Sequence, residues 1–381
     1  MLTTIEKSTG RALALLFSLT GPYAGGVTMP GGSASNITAL VVARNQLFPE
    51  TKGGGYEGKK FVLFTSAHGH YSIEKAAQIC GMGISSAWPV PVDSSGRMIV
   101  SELQRLVKKA RAEGFTPFFV SASGGTTVRG AYDRFPEIAE VCKKEKLWFH
   151  IDASWGGPVV FSEKHRVKLA GSQFANTITV NPHKMMGVPL TCSFLLGADL
   201  RQFRSSNTSP AGYLFHGGST EEVNGTKEIN GAAEVKEEFW DLADLTLQCG
   251  RKGDALKLAL GWVYYGSAGY GEKIDNAFAI AAYFATLVET SNDLELVGDN
   301  PPPCLQVCFY FSPGGQREER SEVNTWRTKE ICRLLVKRGF LVDFAPGEKG
   351  SFVRSLVHLV TTKKAIDTLV QAIVDIGRSI V

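Results

Sequence analysis

Short runs of β-branched and aromatic residues alternate with stretches of helical apolar spacing from about residue 60 to 196. The strand-like runs are 61–65, 84–88, 117–121, 147–151, 177–180 and 192–196, with helical spacing over 72–80, 101–113 and 135–145 between them. That alternation predicts βαβ units, a mostly parallel sheet and an α/β fold class. After about residue 250 a long helical stretch runs through Trp262 and a second covers 274–290. Beyond it, strand-like 305–311, 340–344 and 352–359 alternate with helical 324–338 and 363–380, the pattern of a small α+β domain over 291–381. A large domain is expected over 21–290.

Two segments break the alternation. Residues 217–240 hold six glutamates, two lysines and four glycines, which predicts an exposed, mobile loop serving as a linker or a lid. At the start, Lys7 and Arg11 ahead of the apolar run 12–19 resemble a signal peptide. However, Leu2, Ile5, Thr9, Leu13, Leu16 and Phe17 share one helical face, and no small-residue cleavage site precedes Gly21-Pro22. Residues 1–20 therefore read as an N-terminal helix.

Composition narrows the partners. The 381 residues are 44% apolar, and the net charge of +4 comes from 41 basic and 37 acidic residues without a basic block. Small molecules fit better than nucleic acid or membrane. Seven cysteines without a CxxC pair argue against a disulfide scaffold or zinc site and for a cytoplasmic protein.

Three features carry candidate chemistry. Asp152 follows the run 147–151, at a carboxyl strand end where open α/β sheets bind ligands. Lys184 follows 177–180 across Asn181-Pro182-His183 and precedes the apolar run Met185-Met186-Gly187-Val188-Pro189-Leu190, a surround that favours a neutral, imine-forming amine. Gly31-Gly32-Ser33-Ala34-Ser35-Asn36 leads into helical 37–47, and such a turn either holds a phosphate or simply caps the helix.

Three ordered segments carry a resemblance: Ser123-Gly-Gly-Thr-Thr-Val-Arg-Gly-Ala-Tyr-Asp133, His150-Ile-Asp-Ala-Ser-Trp-Gly-Gly157 and Asn181-Pro-His-Lys-Met-Met-Gly187. Together they resemble the group II pyridoxal-phosphate decarboxylases, nearest the glutamate and cysteine-sulfinate branch. His70-Tyr71-Ser72 and Leu247-Gln-Cys-Gly-Arg251 add to the likeness, which runs from about residue 20 to the C-terminus. The resemblance implies a fold type I large domain with a seven-stranded type of sheet, pyridoxal 5'-phosphate as cofactor, a homodimer and a small, acidic L-amino acid as substrate. It implies that Lys184 carries the cofactor as a Schiff base, Asp152 pairs with its ring nitrogen and His70 stacks on one ring face. Ser33, Ala34, Ser35, Asn181 and His183 match positions near its phosphate, and Thr126 one near the ring substituents. Arg354 matches an arginine that takes the substrate carboxylate. His70 as a core histidine and Arg354 as a surface ion pair are the structural alternatives.

The chain departs from that family in three places. An N-terminal region of about a small domain's size is missing from this sequence, either because the protein has dispensed with it or because the sequence is a shortened version. The family's mobile loop carries a tyrosine that protonates the carbanion, whereas no tyrosine lies between Tyr213 and Tyr264. Ser154 stands where relatives commonly have alanine, against the ring face opposite His70. The altered loop opens one alternative to amine formation, decarboxylation coupled to oxidative deamination giving an aldehyde, and the missing N-terminal region opens another, a decarboxylase-like binding or regulatory protein without activity.

Overall fold

In this computed structural model, residues 1–209 and 239–381 are described. Of the loop expected over 217–240, all but Phe239 and Trp240 lies outside the described residues.

The main sheet has seven strands: β1 (Gly25–Met29), β2 (Phe61–Ser66), β3 (Ala87–Val90), β4 (Thr116–Ser123), β5 (Trp148–Ala153), β6 (Thr177–Val180) and β7 (Ser193–Gly197). Their spatial order is β1-β7-β6-β5-β4-β2-β3. β7 runs antiparallel to both neighbours and the other pairings are parallel, so the sheet is mostly parallel as the alternation predicts. Every residue of β1, β2, β6 and β7 is buried, which explains why these strands read as continuous apolar or small-residue runs. A second sheet, ordered β10-β11-β9-β8 and wholly antiparallel, comprises β8 (Leu294–Leu296), β9 (Gln306–Phe311), β10 (Asp343–Ala345) and β11 (Phe352–Leu356).

Helices follow the apolar spacing closely in the middle of the chain: Ser72–Ile79, Val100–Ala112 and Phe135–Glu145. The two helices expected after residue 250 form one assigned span, Ala255–Glu289, interrupted at Gly266, whose φ of 68° only glycine adopts readily. One apolar core runs from Phe64 and Phe149 under the main sheet through Phe284 on this helix to Phe309 and Ile373.

Four expectations shift, one being the strand read over 340–344, which begins only at Asp343 and ends at Ala345. The first helix, Leu2–Leu16, buries Glu6, Thr9, Gly10, Leu13 and Ala14, while Leu2 stays exposed. Glu6 turns inward because Arg251 and the Thr28 amide and hydroxyl all donate to its Oε1. Gly10 faces β1 so closely that a side chain there would meet the Gly26 carbonyl. Residues 84–86 form a 3₁₀ turn with Ile84 exposed, so the strand read at 84–88 starts at Ala87. The helix read over 37–47 begins at Gly32, a turn earlier, and takes Ser33 to Asn36 into its first turns.

Candidate active site

The parallel strands deliver the site residues at one edge of the sheet. β5 ends with Asp152 and Ala153, β4 ends with Ser123, β2 leads through a turn to His70, and β6 leads to Asn181 and the short helix Pro182–Met185 that carries Lys184. Carboxyl ends of parallel strands are where α/β sheets open a crevice. A cavity of about 250 Å³ sits there, and its lining includes Ser33, His70, Thr126, Asp152, Ser154, Asn181, His183 and Lys184. Gly32, Asn36, Tyr71, Thr127 and Trp155 also line it.

Asp152 is the negative pole. The Ser154 amide donates to its Oδ1 at 3.1 Å and Asn36 Nδ2 donates to Oδ2 at 2.8 Å. Burial pushes its pKa up, but those donors and the Lys184 ammonium more than offset it and hold the carboxyl below its ordinary value. Lys184 is the converse: burial lowers its pKa, with Arg354 in the same direction and Asp152 opposing. Its amine is thus available in the neutral form at lower pH than a surface lysine.

His70 is lowered first by burial and then by Lys184 and Lys75, against Asp152, so it favours the neutral ring. The Ser72 amide donates to its Nδ1 at 3.2 Å, which leaves the ring proton on Nε2. The Tyr71 ring lies 4.4 Å from the His70 ring, centroid to centroid.

The helix Gly32–Leu47 starts without a side-chain cap, so its first amides have no acceptor from the chain's own caps. A Cβ at Gly32 would sit 2.6 Å from Asn181 Nδ2 and 2.8 Å from the Ser154 hydroxyl, so only glycine leaves this cradle open. Ser33 lines the cavity, whereas Ala34 packs against a separate apolar cluster that includes Val27, Leu40 and Phe118, and Ser35 is buried with its hydroxyl 2.9 Å from that of Ser193. Ser193 in turn donates to Asn181 Oδ1 at 2.6 Å. His183 Nδ1 lies 2.6 Å from the Cys192 carbonyl oxygen and 3.1 Å from its amide nitrogen.

Arg354 comes from β11 of the second sheet. Its Nε donates to the Thr127 carbonyl at 2.8 Å, its Cζ lies 5.6 Å from the Trp155 ring centre, and its Nη2 is buried without a partner among the described residues. Two neighbours on β9 grip the same loop: Gln306 Nε2 donates to the Thr126 carbonyl and the Cys308 thiol to that of Val128, both at 3.3 Å. Thr126 is itself buried, its hydroxyl accepting from the Ala131 amide at 3.0 Å. Sequence reasoning passed over Trp155 and Asn36 as site residues. A tryptophan beside a strand reads as core, and an asparagine at a helix start reads as a cap.

These residues fit pyridoxal phosphate: an amine shifted toward its neutral form, an ionised carboxylate in the same cavity, and an uncapped helix start behind a glycine cradle. Comparison with known proteins agrees. The family described as the pyridoxal-dependent decarboxylase conserved domain matches residues 2–312. An L-aspartate decarboxylase of Metarhizium robertsii is 48% identical over 380 residues, covering 100% of this chain and 73% of the relative. A glutamate decarboxylase-like protein of Gibberella zeae is 40% identical over 402 residues, covering 100% and 77%. Mouse CSAD in apo form superposes with a TM-score of 0.87 at 33% identity, over 99% of this chain and 76% of that one. Oryza sativa TDC with PLP and tryptamine shares the fold at 22% identity, with a TM-score of 0.86 over 100% and 76% of the two chains.

Proposed function

This chain belongs to the pyridoxal-dependent decarboxylases, and from that premise we propose that it removes the α-carboxyl group of a small acidic L-amino acid, releasing CO2 and the amine. The observation that carries the reading is the cavity that joins Lys184, Asp152 and His70. Bound pyridoxal phosphate supplies the electron sink for the pair left when CO2 departs.

The chain's own residues would divide the work as follows. Lys184 would hold the cofactor through its amine, which is shifted toward the neutral form. Asp152, kept ionised by Ser154 and Asn36, holds a proton on the cofactor's ring nitrogen. His70 would lie against the cofactor ring with its Nε2 proton available, and Ser154, which lines the same cavity, would lie against the opposite face. Ser33, Asn181, His183 and the free amides at the helix start would hold the phosphate, Ala34 through its backbone, whereas the Ser35 amide already donates to the Gly31 carbonyl at 3.1 Å and its hydroxyl faces Ser193. Thr126 sits beside the ring substituents.

Arg354 takes a substrate carboxylate. A buried guanidinium nitrogen without a partner is costly, and a carboxylate satisfies it with a charge-assisted hydrogen bond. Two relatives named for aspartate and glutamate chemistry support an acidic side chain on the substrate. A homodimer is supported by the apolar row Leu260, Val263 and Tyr264, exposed by 62%, 86% and 80% on one helix face.

The test is spectroscopic and then chemical. Purified protein supplied with pyridoxal phosphate should show visible absorbance that borohydride removes and that Lys184→Ala lacks. With aspartate, glutamate and cysteine sulfinate, CO2 and amine should appear one to one. Aldehyde and peroxide in place of amine would favour the oxidative reaction, which the tyrosine-free stretch between Tyr213 and Tyr264 suggests. No cofactor uptake would overturn the proposal.

A further inference from the structure

Asn36 lies 1% exposed on the second turn of the helix Gly32–Leu47, and its side chain uses its whole hydrogen-bonding capacity. Nδ2 donates to Asp152 Oδ2 at 2.8 Å and to the Ser72 hydroxyl at 2.9 Å. Oδ1 accepts from the Thr179 hydroxyl at 2.8 Å and faces His150 Nε2 at 3.1 Å. Two donors and two acceptor positions are thus all engaged.

One charge orients the whole set. An ionised carboxylate only accepts, so the amide must turn Nδ2 toward Asp152 and Oδ1 toward His150. His150 therefore carries its proton on Nε2. Its Nδ1, 2.9 Å from the Thr177 hydroxyl, must then accept from that hydroxyl, which in turn accepts from Trp148 Nε1 at 2.9 Å. Burial pushes His150 down to about 4, so it stays neutral and adds no cation behind the carboxylate. The same amide ties Asp152 to Ser72, whose backbone amide fixes the His70 tautomer.

We infer that Asn36 is a positioning residue that aims the Asp152 carboxylate at the cofactor and couples it to the turn carrying His70. Its neutral dipole does this without competing for the negative charge, as a lysine or a protonated histidine would. Removing a donor from a buried carboxylate raises its pKa and frees its rotation. The inference rests on the cavity being the cofactor site.

The experiment is a double-mutant cycle on cofactor affinity rather than turnover. Pyridoxal phosphate is titrated into the cofactor-free full chain and into its N36A, D152A and N36A/D152A variants, with binding followed by absorbance and folding by thermal melting. N36S replaces N36A should N36A not fold. N36A is expected to weaken binding about tenfold with Asp152 present and less than about twofold without it. An equal loss in both backgrounds would overturn the inference, because Asn36 would then act on packing alone. If D152A leaves affinity unchanged, the cofactor-site reading fails with it. If D152A weakens binding but N36A does not, only the positioning role fails.

Discussion

The Lys184 Nζ lies 4.9 Å from the centre of the Trp155 ring, and the Arg354 guanidinium approaches the same ring at 5.6 Å. One indole thus neighbours both cationic side chains. Because Arg354 lowers the Lys184 pKa and Asp152 raises it, variants of the two should move it in opposite directions. In cofactor-free protein, Arg354→Met should shift the pH dependence of Lys184 labelling by an amine reagent to higher pH, and Asp152→Asn to lower pH. Peptide mass spectrometry reads both, and shifts of the same sign would contradict the arrangement.

Gly32→Ala should damage the cavity without damaging the fold. The new methyl would meet Asn181 and Ser154, two short side chains with little room to retreat. Cofactor affinity is expected to fall by at least about tenfold, equivalent to about 1.4 kcal/mol, while the melting temperature of the cofactor-free protein stays within a few degrees. Unchanged affinity would mean that the cradle is looser than its distances indicate.

Two buried groups should give opposing acid responses. Burial sets the folded pKa of His150 at about 4, below its ordinary 6.5. As pH falls through that window the unfolded chain gains a proton that the folded chain refuses, so stability drops, by on the order of 3 kcal/mol. Burial raises Asp133 from 3.8 to about 6 despite backbone donors at Met98 and Ser123. Its folded form binds the proton first, so stability rises as pH falls from about 6 toward 4, by a similar amount. The two contributions largely offset each other. Asp133→Asn should therefore lose unfolding free energy more steeply between pH 6.5 and 4.5 than the unmutated protein, and parallel curves would count against both assignments.

Val263→Glu should show whether the exposed apolar row is covered by a second copy. The side chain is 86% exposed, so the charge costs the isolated chain little. Light scattering should report a dimer for the unmutated protein and a monomer for the variant. A dimer in both would place the interface elsewhere.

Much of the fold was legible in the sequence because buried parallel strands leave short apolar runs between helical stretches. Strands β2, β4 and β6 fall within two residues of the runs that predict them. β1 was missed because Gly25-Gly26-Val27-Thr28-Met29 shows no alternation and opens on two glycines, with only Val27 and Thr28 β-branched, and it is a strand because the whole segment is buried against β7. β8, with three residues, is too short to show a period. For the cavity, the sequence carried the residues of distinctive chemistry, Lys184 and Asp152, through their neighbours. The groups that orient them were not readable, because Asn36 and Ser193 meet the site from elements far apart in the chain. Only tertiary pairing shows that an amide at a helix start faces an aspartate 116 positions away.

The grip of the second sheet on the 126–128 loop has a consequence for how ligand binding would be felt. Arg354, Gln306 and Cys308 each hold one carbonyl of that loop, so the loop and two strands of the small sheet form one hydrogen-bonded unit beside the cavity. A carboxylate captured by Arg354 would stiffen that unit rather than one side chain. Backbone amides of β9 and β11 should then exchange with deuterium more slowly when substrate is present, although these strands belong to a different sheet from Lys184.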